Sequence, residues 1–201
     1  MILLFNSRSN YSMDQGQEYT LPRQNEDNHD TLFFYSKSAR KPAGKGANES
    51  VPNPKEYSQL NEITDWRKVL SNFYVAPFVY NGATYNTIEH ALQSEKIRLV
   101  DPEKANWFSV ESGNSIGQGD GFVARKNSKT FTLNEENTLK WNAIKHTVLH
   151  NLLLAKFTQV IVARHAILST RQAALLHRSS RGGAIQRQFI LEKIRSLLQE
   201  L

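Results

Sequence analysis

The chain has no cysteine in 201 residues, which excludes disulfide stabilisation, a thiolate nucleophile and a thiolate-bound zinc, and fits a reducing compartment. No apolar run approaches the ~18 residues that a membrane helix needs. The opening Met1-Ile2-Leu3-Leu4-Phe5 is too short for a signal-peptide core and lacks a basic flank and a small-residue cleavage site. The expectation is a soluble intracellular protein, cytoplasmic or, in a eukaryote, nuclear, with no membrane partner. Gly44-Lys45-Gly46 lacks the wider glycine spacing and the following Ser or Thr of a triphosphate-binding loop. Gly117, Gly119 and Gly121 do not fit a dinucleotide fingerprint. His146 and His150 stand one helical turn apart, but neither a glutamate beside the first nor a third ligand is evident. Neither a metal nor a cofactor is expected.

What is present supports one core. Hydrophobic residues make up 39% and aromatics 10% of the chain, near the usual size and composition of a single domain. The formal charge is +6, which favours an anionic partner, nucleic acid included. Much of it falls late, at Arg164, Arg171, Arg178, Arg181, Arg187, Lys193 and Arg195. Clustered arginines suit phosphate because the planar guanidinium binds two oxygens at once; a solvated basic helix face has the same composition.

Residues 6–30 are rich in Asn, Gln, Ser, Asp and Glu, a composition that buries too little apolar surface to offset the entropy of ordering. Residues 1–30 are therefore read as a mobile polar tail and 31–201 as one domain. Thr31 to Tyr35 reads as a strand, and Arg40 to Pro54 as a loop. Phe78-Val79-Tyr80 and Ala83-Thr84-Tyr85 flank Asn81-Gly82, the best pair for a two-residue hairpin turn. Asp101-Pro102-Glu103 opens a helix expected to reach about Val110, and Gly113 to Gly121 reads as a loop. Asn134-Glu135-Glu136 starts the longest helix, where Trp141, Ile144, Val148, Leu152 and Ala155 keep the helical period. Short helices are expected around 160–168 and 171–177, and a last one from Ala184. The class is α+β, predominantly helical, with a small sheet and a β-hairpin surrounded by helices.

From Ile88 the period changes. Ile88, Leu92 and Leu99 share one face with Ala91 beside them, while Glu89, Gln93 and Lys96 recur on another. Glu89 thus stands at the start of a helix just after a hairpin, a place where any acid is favoured by the dipole. The same carboxylate could activate water or a sugar hydroxyl. Trp141 fits ordinary core packing, or stacking against a base. Asp120 among its glycines could accept a hydroxyl hydrogen bond where Gly119 lets backbone approach, and a flexible surface loop explains these residues equally well.

The block Leu70-Ser71-Asn72-Phe73, Ile88-Glu89-His90 with Gln93 and Lys96, and Leu139 to Phe157 resembles the NADAR, or YbiA-like, family of N-glycosidases. Phe34-Tyr35-Ser36-Lys37-Ser38, Gly44-Lys45-Gly46, Gly117 to Gly121 and Leu191 to Arg195 match the longer form of that family. The resemblance implies a YbiA-like fold and a metal-independent hydrolase of N-glycosyl bonds. Its substrate class is a ribosylated base, above all ADP-ribosylated guanine in nucleic acid or free nucleotide, so the partners implied are ADP-ribose or a ribosylated nucleotide. Two alternatives stay open: hydrolysis of phosphoribosylamino-pyrimidine intermediates of riboflavin synthesis, and a non-catalytic ADP-ribose or nucleic-acid binding module. Glu89 falls on the glutamate assigned a catalytic role, and Trp141 on a tryptophan treated as essential. Lys37 or Lys45 would hold or attack the distal ribose. Tyr35, Ser36, Asn72, Phe73, Gln93, Lys96, Gly119, Asp120 and Arg181 complete the expected substrate-binding set. The chain departs from many bacterial relatives in reading His177-Arg178-Ser179-Ser180-Arg181-Gly182-Gly183 where they carry a late Trp-Gly and acidic motif.

Overall fold

The computed structural model describes residues 30–178 and 183–201; the expected tail, apart from Asp30, and Arg181 lie outside them. The first strand, β1 (Thr31–Phe34), is buried along Leu32, Phe33 and Phe34. A long loop leads through a short 3-10 turn into α1 (Ser58–Glu62) and α2 (Trp66–Val69). The hairpin follows as β2 (Phe78–Tyr80) and β3 (Ala83–Tyr85), paired antiparallel. Asn81 and Gly82 at its tip take φ of 49° and 79°, the left-handed pair that a type I′ turn requires.

The helices come next: α3 (Ile88–Ile97), α4 (Pro102–Ala105), α5 (Gly121–Ser128), the 25-residue α6 (Glu135–Gln159) and α7 (Ile161–Ser169). The chain closes with β4 (Ala174–Arg178), β5 (Ile185–Arg187) and α8 (Phe189–Gln199). β4 lies between β1, to which it is parallel, and β5, to which it is antiparallel. This is an α+β arrangement with small sheets among helices.

Three element expectations are corrected. Residues 171–177 are not a helix: Ala174 to His177 pair with Thr31 to Phe34, and Ala173, Ala174 and Leu175 are buried. Three consecutive buried positions suit a strand covered on both faces better than an amphipathic helix. The last helix starts at Phe189 rather than Ala184, because Ile185 to Arg187 are drawn into that sheet. The helix opened by Asp101 ends at Ala105 and passes through a 3-10 turn, after which the N–H of Val110 bonds the Thr84 carbonyl at 2.9 Å. Pairing with the hairpin therefore ends it early. α5 has no counterpart among the helices expected from sequence.

One continuous cluster of buried side chains runs from Leu32 and Phe34 through Tyr57, Trp66, Phe78, Ile88, Phe108 and Leu152 to Leu198. On α6 burial begins at Val148; Trp141 is partly buried, and Leu139 and Ile144 are exposed. The helical period predicted for Trp141 and Ile144 holds; Trp141 packs against the edge of the core and Ile144 is exposed. No single helix among the described residues is long and apolar enough to cross a membrane.

Candidate functional site

The N-terminus of α3 is built by its neighbours. Thr87 takes an extended conformation, and its hydroxyl accepts the His90 N–H at 3.2 Å, a side-chain cap. The Thr87 hydroxyl lies 2.8 Å from His90 Nδ1, and His90 Nε2 lies 2.9 Å from the Ile116 carbonyl. A neutral ring with its proton on Nε2 satisfies both contacts. Burial lowers the His90 pKa, and with both ring nitrogens engaged this histidine ties α3 to the glycine-rich loop.

The N–H of Glu89 donates to the Asn72 carbonyl at 3.0 Å. Its side chain is only 2% exposed. Gln93 Nε2, one turn on, donates to Glu89 Oε1 at 2.8 Å, and Arg125 Nη1 lies 3.6 Å from the same oxygen. Burial pushes the Glu89 carboxyl above the ordinary carboxylate range; the Gln93 bond, Arg125 and Lys96 act in the opposite direction without cancelling it. Gln93 Oε1 is buried with no partner among the described residues. Both contacts to Glu89 fall on Oε1, and Oε2 has no hydrogen-bond partner among the described residues.

Beside this carboxyl lies an aromatic shelf. Asp120 Oδ1 accepts the N–H groups of Phe122 and Val123, each at 2.9 Å, and so caps α5. Gly121 lets α5 approach: a Cβ there would stand 2.8 Å from Phe73 Cα. Phe122 and Arg125, three residues apart on one helix face, both meet Phe73. The two phenyl rings lie 4.8 Å apart, and the guanidinium carbon is 6.0 Å from the Phe73 ring. Lys37 reaches in from the turn after β1, where Ser38 Oγ accepts the Tyr35 N–H at 3.0 Å, and its Nζ sits 5.0 Å from the Phe122 ring.

Of the residues expected from sequence, Glu89, Gln93, Lys96, Asn72, Phe73 and Lys37 are therefore linked in one neighbourhood. Asp120 meets it as a helix cap, and Gly119 sits where a Cβ would collide with Val123 at 2.7 Å. Tyr35 and Ser36 lie in the turn that carries Lys37. Trp141 packs against the core from the first half of α6.

Lys45 is exposed on a separate loop clasped by Glu49. The Glu49 carboxylate accepts the N–H groups of Gly44, Gly46 and Phe33 at 2.9, 2.8 and 3.2 Å, and is forked by Arg67 at 2.8 Å. Arg67 also donates to the carbonyls of Lys41 and Pro42. The Gly-Lys-Gly piece thus wraps a buried acid. A hollow of about 230 Å³ next to this clasp is lined by Ser38, Arg40, Asp65, Trp66 and Arg67 and includes neither Glu89 nor Phe73.

Three of the late arginines are engaged within the chain. Arg195 donates to Thr170 Oγ1 and the Ala173 carbonyl, Arg187 forks Glu192 at 3.0 Å, and Arg171 lies 4.0 Å from Glu56. Their guanidinium groups close contacts within the chain. Among the described residues no group of three or more His, Asp or Glu side chains is placed to hold a metal.

Sequence reasoning missed Phe122, Arg125, Glu49 and Arg67. For the first two a signal existed: Asp120 before Gly121 is a helix cap, and the helix it starts brings Phe122 and Arg125 onto one face. Glu49 sits in a loop eighteen residues from Arg67, a pairing that no local pattern reveals.

The model of the NADAR domain matches residues 59–183, more than half of the chain. The chain belongs to the NADAR family. This is a family of N-glycosidase-like proteins. Among solved structures, the NADAR chain is similar to the NMR structure of the E. coli protein YbiA, with a TM-score of 0.52, 20% identity and coverage of 89% of this chain and 90% of that one. That likeness establishes the fold and no more. No match is found among the curated proteins. The NADAR match takes in Glu89, Phe73, Phe122 and Arg125, while Lys37 and the Glu49 loop precede it.

Proposed function

We propose that this protein is an N-glycosidase that removes ADP-ribose from ADP-ribosylated guanine in nucleic acid or free nucleotide. The observation that carries the reading is Glu89: a buried carboxyl with raised proton affinity, held by Gln93 on one oxygen and linked through Arg125, 3.6 Å away, to the Phe73 and Phe122 rings. Cleaving the bond between ribose C1′ and a base nitrogen puts positive charge on the sugar, and the base leaves with the bonding electrons and takes up a proton. Glu89 Oε2 removes a proton from the attacking water or a ribose hydroxyl, and its raised pKa makes it a stronger base than a solvent-exposed carboxylate. The water oxygen then bonds C1′.

The Phe73 and Phe122 rings suit a flat base, since every nucleobase offers a π-face. Lys37 and Arg125 flank them and suit the pyrophosphate; the contact of Lys37 with the Phe122 ring supports Lys37 over Lys45 as the lysine that meets an opened ribose. Trp141 is assigned to positioning the base or sugar. The reaction needs no metal.

The test is incubation of guanine-ADP-ribosylated DNA with the protein and with Glu89→Gln, reading released ADP-ribose by mass spectrometry. Release by the wild type and its loss in the variant is the expected result. Release by both retains the activity and overturns the role of Glu89. Turnover of a phosphoribosylamino-pyrimidine monophosphate instead would replace the substrate, and ADP-ribose binding without turnover of either would make the protein a binding module.

A further inference from the structure

Lys156 is an amine at the centre of the core, on α6, with 0% exposure. Among the described residues it forms no ion pair with a carboxylate, and burial alone pushes its pKa down to about 7. Leu or Met would fill that volume without desolvating an amine, so the lysine must supply something an apolar side chain cannot. Its Nζ donates to the carbonyls of Val69 at 2.9 Å and Ser71 at 3.0 Å, and the rings of Tyr74 and Phe157 stand 5.7 and 5.4 Å away.

Those carbonyls belong to the end of α2 and the turn beyond it, where helical partners run out. The next residue, Asn72, accepts the Glu89 N–H, and Phe73 after it carries half of the aromatic shelf. A single amine therefore bridges the two carbonyls on either side of Leu70, immediately before the two residues that touch the site.

We propose that Lys156 is a positioning residue for the site: by fixing the backbone at Val69 and Ser71 it sets both the carbonyl that orients Glu89 and the placement of Phe73. The proposal rests on the reading that Glu89 and Phe73 form the reactive site, and it reaches them through the backbone, without contact with the substrate. Lys156→Met keeps the bulk and removes both donors. The first readout does not require activity. Hydrogen exchange at the Glu89 amide should speed up in Lys156→Met by about tenfold or more, while core amides of α8 such as Ile194 keep their protection.

With ADP-ribosylated DNA, kcat should fall by up to about 100-fold, the scale of an ångström of misplacement. Leu198→Ala, a core cavity on α8 that leaves both lysine donors in place, serves as the stability control and should leave kcat within about threefold. If Lys156→Met does not fold, Lys156→Leu, which also removes both donors, carries the same measurements. Uniform loss of protection across the protein, or kcat falling equally in the Leu198→Ala control, would overturn the proposal and leave Lys156 a core residue only. If the wild type releases no ADP-ribose, the functional reading fails, and the exchange at Glu89 still decides the role of Lys156.

Discussion

Among the described residues two glutamates are buried near arginines, and they are treated differently. Glu49 is surrounded by donors: three backbone N–H groups and a bidentate guanidinium, with the Arg67 side chain itself 5% exposed. Glu89 receives one amide N–H, and its arginine is 58% exposed and stands 3.6 Å off. A buried carboxylate whose lone pairs are all taken is a fixed anchor. One whose lone pairs are left open has a raised pKa and unused capacity, the usual mark of a group that acts.

The sharpest way to break this comparison is to remove each acid in turn. Glu89→Gln should cost about 10²- to 10⁴-fold in kcat, the usual scale of general acid–base catalysis. It should not cost stability. Because the folded pKa of Glu89 is raised, the unfolded chain loses this proton first as pH rises, so the wild type is destabilised from about pH 4.3, the unperturbed value, up through the folded pKa. Equilibrium unfolding at neutral pH should therefore find Glu89→Gln at least as stable as the wild type, with the two converging in acid. A less stable variant would mean that Glu89 is an anchor too.

Arg67→Met should do the opposite. It strands a buried carboxylate and is expected to lower stability by about 3–5 kcal/mol, read from the denaturant midpoint. Loss of activity with unchanged stability would put the Glu49 loop in the chemistry instead.

Phe122→Ala tests the shelf beside Glu89. Phe122 is 43% exposed, so folding should change little, while KM should rise by roughly 5- to 150-fold if a base stacks there, given about 1–3 kcal/mol per stacked base. An unchanged KM would remove the base from this face. The smallest effect belongs to Arg125→Met: Arg125 lowers the Glu89 pKa, so its loss should move the acid limb of the kcat/KM profile to higher pH. A shift to lower pH, or none, would show that the guanidinium does not act on Glu89.

The hairpin was legible because Asn81-Gly82 admits few backbone conformations, the start of α3 because the hydrophobic period changes at Ile88, and that of α6 because Asn134 with two acids after it suits a helix start. β4 was not legible: its character comes from β1, more than a hundred residues earlier, and a run such as Ala174-Leu175-Leu176 suits helix or strand equally. The position of Glu89 could be read from sequence, but its burial could not, since the residues that cover it come from the 70–73 turn, from α3 and from α5. Arg195 and Arg187 look like free charge in a linear reading because Thr170, Ala173 and Glu192 reach them through tertiary contacts.

β1 has a practical corollary. A shorter version of this protein cut at the limits of the matched domain, residues 59–183, would lose β1, Lys37 and Glu49 at the amino end and β5 at the other. β4 would then present both edges to solvent, an open template for intermolecular strand pairing, while Arg67 kept its charge with no counterion. Such a fragment is an aggregation risk, and inactivity measured on it would say nothing about the whole chain.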